Sequence, residues 1–134
     1  MFSISSVKAK IKRSGLTFEN TFIYGDNLNI DSIADKFVKD YIDYGEQIIV
    51  FYKSNGYGWC LTNKKLIIPG ENIIIILSDL VKIDLTNFIQ NPEAKSTNRE
   101  LILITKYKSY KVFFEKNTWH LFYNIFKFII SNNK

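Results

Sequence analysis

The stretch "GYGWCLTNKKLII", residues 56–68, reads as two short apolar strands joined at Asn63-Lys64. A two-residue turn at that point is typical of a β-hairpin, and we expect Asn63 to adopt the left-handed conformation that such a turn requires. This register places two large apolar pairs on one face, suited to a core. It predicts four opposed pairs: Leu61–Leu66, Trp59–Ile68, Cys60–Ile67 and Thr62–Lys65.

The same stretch contains the only cysteine of the chain and two adjacent lysines, which suggests a thiol nucleophile beside a basic cradle. A strand cysteine facing a core more often behaves as a small hydrophobic residue. The hairpin also separates the lysines, because Lys64 falls in the turn and Lys65 pairs beside it. We therefore interpret the stretch as the wall of a bent sheet.

Towards the N-terminus, residues 7–12 read V-K-A-K-I-K and alternate with the period of a half-buried strand. Lys8, Lys10 and Lys12 are predicted to face outward, as on a protected edge strand. The alternative is a basic strip for an acidic partner. A second apolar stretch, TFIY at 21–24, ends at a turn signal.

An amphipathic helix of about three turns is predicted to begin after an N-cap at Asp31 and to end at Gly45. Its apolar positions recur at helical spacing. They are Ile33, Phe37, Tyr41 and Tyr44, with Ala34, Val38 and Ile42 beside them.

Beyond Gly45 the pattern changes to strands, which we expect at 47–53, 57–62, 64–69, 72–77, 80–89, 101–106 and 110–115. Residues 90–100 lack apolar periodicity and are predicted to be a long loop, the best candidate for disorder. A three-residue loop at 107–109 is expected to pair Ile104 with Val112 and Leu103 with Phe113, which avoids placing Lys106 opposite Lys111.

The last element is predicted to be a helix capped at Asn117 or Thr118. Its apolar stripe comprises Trp119, Phe122, Tyr123, Phe126, Ile129 and Ile130. The length and the 46% apolar content are those of one globular domain, residues 1–134, with an extension (1–45) and a core (46–131).

The order of elements after residue 45 resembles a pleckstrin-homology-like (PH-like) domain, particularly its small bacterial versions. The resemblance is carried by residues 46–52, 59–68 and 76–85. It implies an α+β fold, a strongly bent antiparallel sheet or half-open barrel of about seven strands. A C-terminal helix would plug one end, and an additional strand and helix would precede the core.

This family implies binding rather than catalysis, mostly of proteins, peptides or lipid headgroups. Where members bind phosphoinositides, a lysine on the first strand of the first hairpin is followed by an alternating basic pair on the second. Lys53 matches the first position, but residues 59–62 contain no basic residue. Peripheral lipid contact is therefore not expected.

The composition argues against several chemistries. One cysteine and one histidine are too few for a zinc site, no glycine pattern matches a phosphate-binding loop, and no nucleophile with its base is evident. We expect no enzyme activity and no cofactor. Only Arg13 and Arg99 supply the forks used for nucleic-acid recognition, so a specific nucleic-acid partner is not expected. With no signal peptide, no apolar span and no disulfide, a cytoplasmic location is predicted.

Two features keep functional weight, the basic-aromatic run "KYKSYK" (106–111) and Tyr57, a tyrosine between two glycines. The leading hypothesis is a module that binds a protein, possibly an acidic one. The alternatives are an immunity or inhibitor protein that occludes a toxin, and a weak anionic-lipid or nucleic-acid adaptor. The candidate surface comprises Lys8, Lys10, Lys12, Lys53, Tyr57, Lys106, Tyr107, Lys108, Tyr110 and Lys111.

Overall fold

The computed structural model describes residues 2–84 and 99–133, which form an α+β structure with two antiparallel sheets. The helices are α1 (Ile4–Arg13), α2 (Leu28–Phe37) and α3 (Trp119–Asn132). The first sheet has the order β1 (Thr21–Ile23), β2 (Ile48–Ser54), β3 (Tyr57–Thr62), β4 (Lys65–Ile68), β5 (Ile73–Ile76). The second has the order β6 (Leu80–Asp84), β7 (Glu100–Thr105), β8 (Ser109–Phe113). No closed barrel forms among these strands.

The central hairpin has the predicted register, with Cys60 opposite Ile67 and Leu61 opposite Leu66. Its turn differs from the prediction, because Asn63 is not left-handed. The Thr62 hydroxyl closes the turn instead, accepting hydrogen bonds from the backbone amides of Lys64 (3.1 Å) and Lys65 (3.0 Å). The Thr62 side chain therefore stabilises the turn, in place of the left-handed Asn63 backbone that the sequence predicted.

The predicted strand over residues 7–12 is wrong, since these residues belong to α1. Val7 and Ile11 are four residues apart, so a helix places both on one face, and both are buried in the main core. Ser3 caps the helix by accepting from the Ser6 amide. The alternation of the lysines therefore suggested a strand, although Val7 and Ile11 have the spacing of two core residues on one face of a helix.

The predicted helix over residues 31–45 is displaced towards the N-terminus. Asn27 is the N-cap and α2 ends at Phe37, while Asp31 accepts a hydrogen bond from the Gly25 amide. Ile33 lies on the exposed side of α2 and Tyr44 lies beyond its end, so both are exposed rather than buried.

Two apolar layers result. The main core lies between the two sheets, α1 and α3, and α3 buries five side chains there: Leu121, Phe122, Ile125, Phe126 and Ile129. A second cluster lies on the other face of the five-stranded sheet, where α2 covers Phe51, Cys60 and Ile67. The N-terminal residues are thus part of the packed structure.

The late hairpin has a different register from the predicted one. Leu103 lies opposite Tyr110 and Ile104 opposite Ser109, so the turn comprises Lys106 and Tyr107. The shift is odd, which moves Phe113 to the exposed face and Val112 into the core. Most of the predicted 90–100 loop, and residues 85–89 of the predicted 80–89 strand, lie outside the described residues.

Candidate interaction surface

The three N-terminal lysines lie on α1, and each has an intramolecular partner. Lys8 Nζ donates to the Tyr24 carbonyl oxygen at 2.8 Å. Lys10 Nζ lies 4.7 Å from the centre of the Phe128 ring. Lys12 Nζ lies 3.8 Å from Asp26 Oδ1, an exposed pair. The helix does not present them as the continuous basic strip that the strand interpretation implied.

Lys53 and Tyr57 lie at the far end of the first hairpin and also make internal contacts. Lys53 Nζ lies over the Phe37 ring at 5.4 Å. Tyr57 is half-buried rather than an exposed loop tip, and its ring packs edge-on against Phe113. Position 58 requires a glycine, because a Cβ there would lie only 2.6 Å from the Tyr52 carbonyl oxygen.

Two side chains of β3 bind the outer edge of β8 and so connect the sheets. The Phe113 amide donates to Tyr57 Oη at 3.0 Å, and Trp59 Nε1 donates to the Phe113 carbonyl oxygen at 3.0 Å. Both backbone groups of this edge residue are therefore satisfied by side chains. Tyr57 is primarily a structural residue.

Burial raises the pKa of Tyr57 to about 12, and the pKa of Tyr24 is raised to about 12, chiefly by its hydrogen bond to Asp35. An unfolded tyrosine ionises near pH ~10, so between about pH 10 and 12 the native state holds protons that the unfolded state has lost. We expect the free energy of unfolding to fall as pH rises through this window. Urea titrations at about pH 10 to 12 should show a smaller fall in Tyr57→Phe than in the wild type; an equal fall in the two proteins would contradict this.

Lys106 to Ser109, which comprise the two-residue turn between β7 and β8 and the two residues after it, are named the hairpin tip. All four of its residues are exposed, and Tyr107 retains 80% of its accessible surface. Thr105 closes the turn with four hydrogen bonds. Its amide and its hydroxyl both donate to the Lys108 carbonyl oxygen at 2.9 Å. The hydroxyl oxygen also accepts from the backbone amides of Tyr107 and Lys108 at 3.1 Å. The tip is therefore held in one backbone conformation.

A further bond joins the tip to the start of β6, since the Lys106 amide donates to the Asp79 carbonyl oxygen at 3.0 Å. Beyond the tip, Tyr110 is half-buried against the main core, and its ring lies 5.0 Å from Lys108 Nζ. Lys111 is exposed and lies 3.9 Å from Glu100 Oε2. Within the run, Tyr107 is the exposed tyrosine, and both lysines beside it are exposed.

Lys65, the second lysine of the central hairpin, forms a buried ion pair with Glu46. Lys65 Nζ lies 3.3 Å from both Glu46 Oε1 and Asp43 Oδ2. The Glu46 side chain is fully buried and that of Lys65 is 9% exposed. Thr62 donates to the other Glu46 oxygen, and the Asp43 amide donates to Oε1. The sequence contained one indication of this ion pair. Glu46, Thr62 and Lys65 all lie in the stretches that resemble the PH-like family.

The single cysteine and the single histidine of the chain lie in different surroundings. Cys60 is fully buried in the cluster under α2, and burial raises the pKa of its thiol. His120 is exposed on α3, with Nδ1 3.4 Å from the Asn124 amide nitrogen. Residues 2–84 and 99–133 contain no group of three His, Cys, Asp or Glu side chains placed to hold a metal ion.

Comparisons with models of protein families, with curated proteins and with solved structures find no match to this chain. Across the described parts of the chain, no helix combines the length and the apolar character needed to cross a membrane.

Proposed function

We propose that this chain is a non-catalytic, PH-like binding module that acts through protein contacts. Four successive antiparallel strands (β2–β5), then three more (β6–β8), then α3 support the family assignment, since this is the order that the resemblance implies. β1, α1 and α2 are additions to that core.

The observation that carries the proposal is the exposure of Tyr107 on a rigid turn. A tyrosine supplies a large contact area at little conformational cost, and its backbone here is already fixed by Thr105. Aromatic anchors of this kind are enriched among the residues that dominate binding energy.

The charge around the anchor indicates an acidic partner. Lys106 and Lys108 flank Tyr107 and are exposed. Exposed lysines add long-range attraction and orientation more than affinity, so binding should weaken as salt rises. A protein partner is favoured over single-stranded nucleic acid because such ligands need a longer basic groove with several stacking rings.

The immunity hypothesis relied on two basic strips, at 8–13 and at 106–111. The first of these segments lies in helix α1, where Lys8, Lys10 and Lys12 contact Tyr24, Phe128 and Asp26 respectively. Only the hairpin tip continues to support an occluding role, which is a special case of the proposed protein contact.

Photo-crosslinking tests the proposal directly. A benzoylphenylalanine at position 107 should give a covalent adduct with one partner in cells of the source organism, because the ring projects from the surface. The matched control is position 44, where an even more exposed tyrosine lies on another part of the surface. Adducts of the same partner at both positions, or at neither, would contradict a specific contact through the tip.

A further inference from the structure

A large open cavity lies in the groove between α1 and α3, away from the hairpin tip. It has a volume of about 730 Å³, within the range of small-molecule sites. Its lining is Lys10, Arg13, Ser14, Leu16, Asn117, His120, Leu121, Asn124 and Ile125. The groove exists only because residues 4–13 form a helix, so the sequence interpretation could not place it.

The charge of this lining has one sign. Lys10 and Arg13 are cationic, and none of the nine lining residues is acidic. Within residues 2–84 and 99–133, no carboxylate lies within 4 Å of the charged end of either side chain. Two cationic residues in the lining of one concave site, with no acidic residue in that lining, create a local positive potential, which attracts anions.

The two arginines of the chain have different roles. Arg99 donates to the Phe114 carbonyl oxygen at 3.3 Å and to Tyr52 Oη at 3.1 Å, so it is structural. Arg13 makes one such bond, from Nε to the Ala9 carbonyl oxygen at 3.2 Å. Its two terminal nitrogens therefore remain available, and a guanidinium is the group best shaped to grip a phosphate.

The remaining lining suits a phosphate attached to an organic group. Asn117 and Asn124 add polar amide groups to the lining, and Leu16, Leu121 and Ile125 add apolar surface. Asn117 holds a left-handed backbone (φ 69°), a conformation that asparagine tolerates better than most residues. Small-molecule sites combine apolar lining with a few polar groups that orient the ligand.

We infer that the groove between α1 and α3 binds a small phosphorylated organic molecule, with Arg13 on the phosphate and Leu16, Leu121 and Ile125 against the organic part. The inference is independent of the proposed function, because the hairpin tip shares no residue with the groove.

The test is an NMR titration with phenyl phosphate at constant ionic strength, with phenol as the phosphate-free control. Phenyl phosphate should bind saturably in the millimolar range or tighter, with the largest shifts at the Arg13 Nε and the Asn117 and Asn124 amides. Phenol should bind at least about tenfold more weakly. Arg13→Gln should weaken phenyl phosphate about tenfold or more, and Arg13→Lys should fall between, since it keeps the charge and loses the fork.

Lys127→Gln is the matched control, because Lys127 lies on α3 outside the groove, with Nζ 5.3 Å from the Tyr123 ring. Its affinity for phenyl phosphate should equal that of the wild type. Absence of saturation, or equal losses in Arg13→Gln and Lys127→Gln, would overturn the inference. Binding to phosphatidic acid vesicles but not to phenyl phosphate, with loss in Arg13→Gln, would also overturn it in favour of a lipid headgroup.

Discussion

Lys65→Met is expected to lower the free energy of unfolding by about 3–5 kcal/mol, the cost of leaving a buried charge without its partner. The Glu46 side chain is completely inaccessible, and Lys65 is the only cation within 4 Å of it among the described residues. Methionine retains most of the volume of the lysine stem, so the loss reports charge rather than packing. Urea unfolding followed by circular dichroism measures it.

Two variants separate this explanation from a general sensitivity of the turn. Lys64→Met changes the neighbouring lysine, which is exposed and has no ion pair, and should cost less than about 0.5 kcal/mol. Glu46→Gln combined with Lys65→Met should recover much of the loss, since the buried charge is removed and the amide oxygen can still accept from the Asp43 amide. A double variant less stable than Lys65→Met alone would refute the ion-pair account.

Trp59→Ala should have an effect of similar size, about 3–5 kcal/mol, because a fully buried aromatic side chain is removed. The ring lies 5.0 Å from that of Phe122 and 5.4 Å from that of Phe114. The substitution also leaves the Phe113 carbonyl oxygen without its donor at the junction of the two sheets.

Trp119→Ala is the control for Trp59→Ala, since Trp119 is half-buried at the start of α3. Its loss of stability should be clearly smaller. Circular dichroism is the appropriate probe, because each variant removes a fluorophore. Equal effects of the two substitutions would show that Trp59 does not have the central position assigned to it.

The parts of the fold that could be predicted were those where a short-range pattern has one solution. The hairpin at 59–68 is of this kind, because apolar residues on both sides of a polar pair determine which pairs oppose. The final helix is another, although its buried side also includes Leu121 and Ile125.

The failures occurred where one pattern fits two structures. In V-K-A-K-I-K, alternation suggests a strand, yet Val7 and Ile11 are also a helical pair, and packing against α3 decides between them. The late hairpin failed because a side chain sets its register. "TKYK" repeats the threonine of "TNKK", and Thr105 closes its turn as Thr62 closes the first one. The repeated threonine was present in the sequence, so this register could have been predicted.

Of the two tyrosines in the predicted basic-aromatic run, only Tyr107 is exposed. The sequence indicated "KYKSYK" but gave no means of separating exposed Tyr107 from half-buried Tyr110, because that depends on the register. It could not reveal that Lys8, Lys10 and Lys12 contact residues distant in sequence. Tertiary packing, rather than local pattern, determines which cations remain accessible.

The central claim is that Tyr107 anchors a protein partner, and the most direct test is the dissociation constant of the partner crosslinked at position 107, measured by calorimetry. Tyr107→Ala should weaken binding by about 30-fold or more, the equivalent of about 2 kcal/mol, without loss of stability, because the side chain is 80% exposed. Tyr44→Ala should leave the constant unchanged. Equal constants for wild type and Tyr107→Ala would contradict the claim.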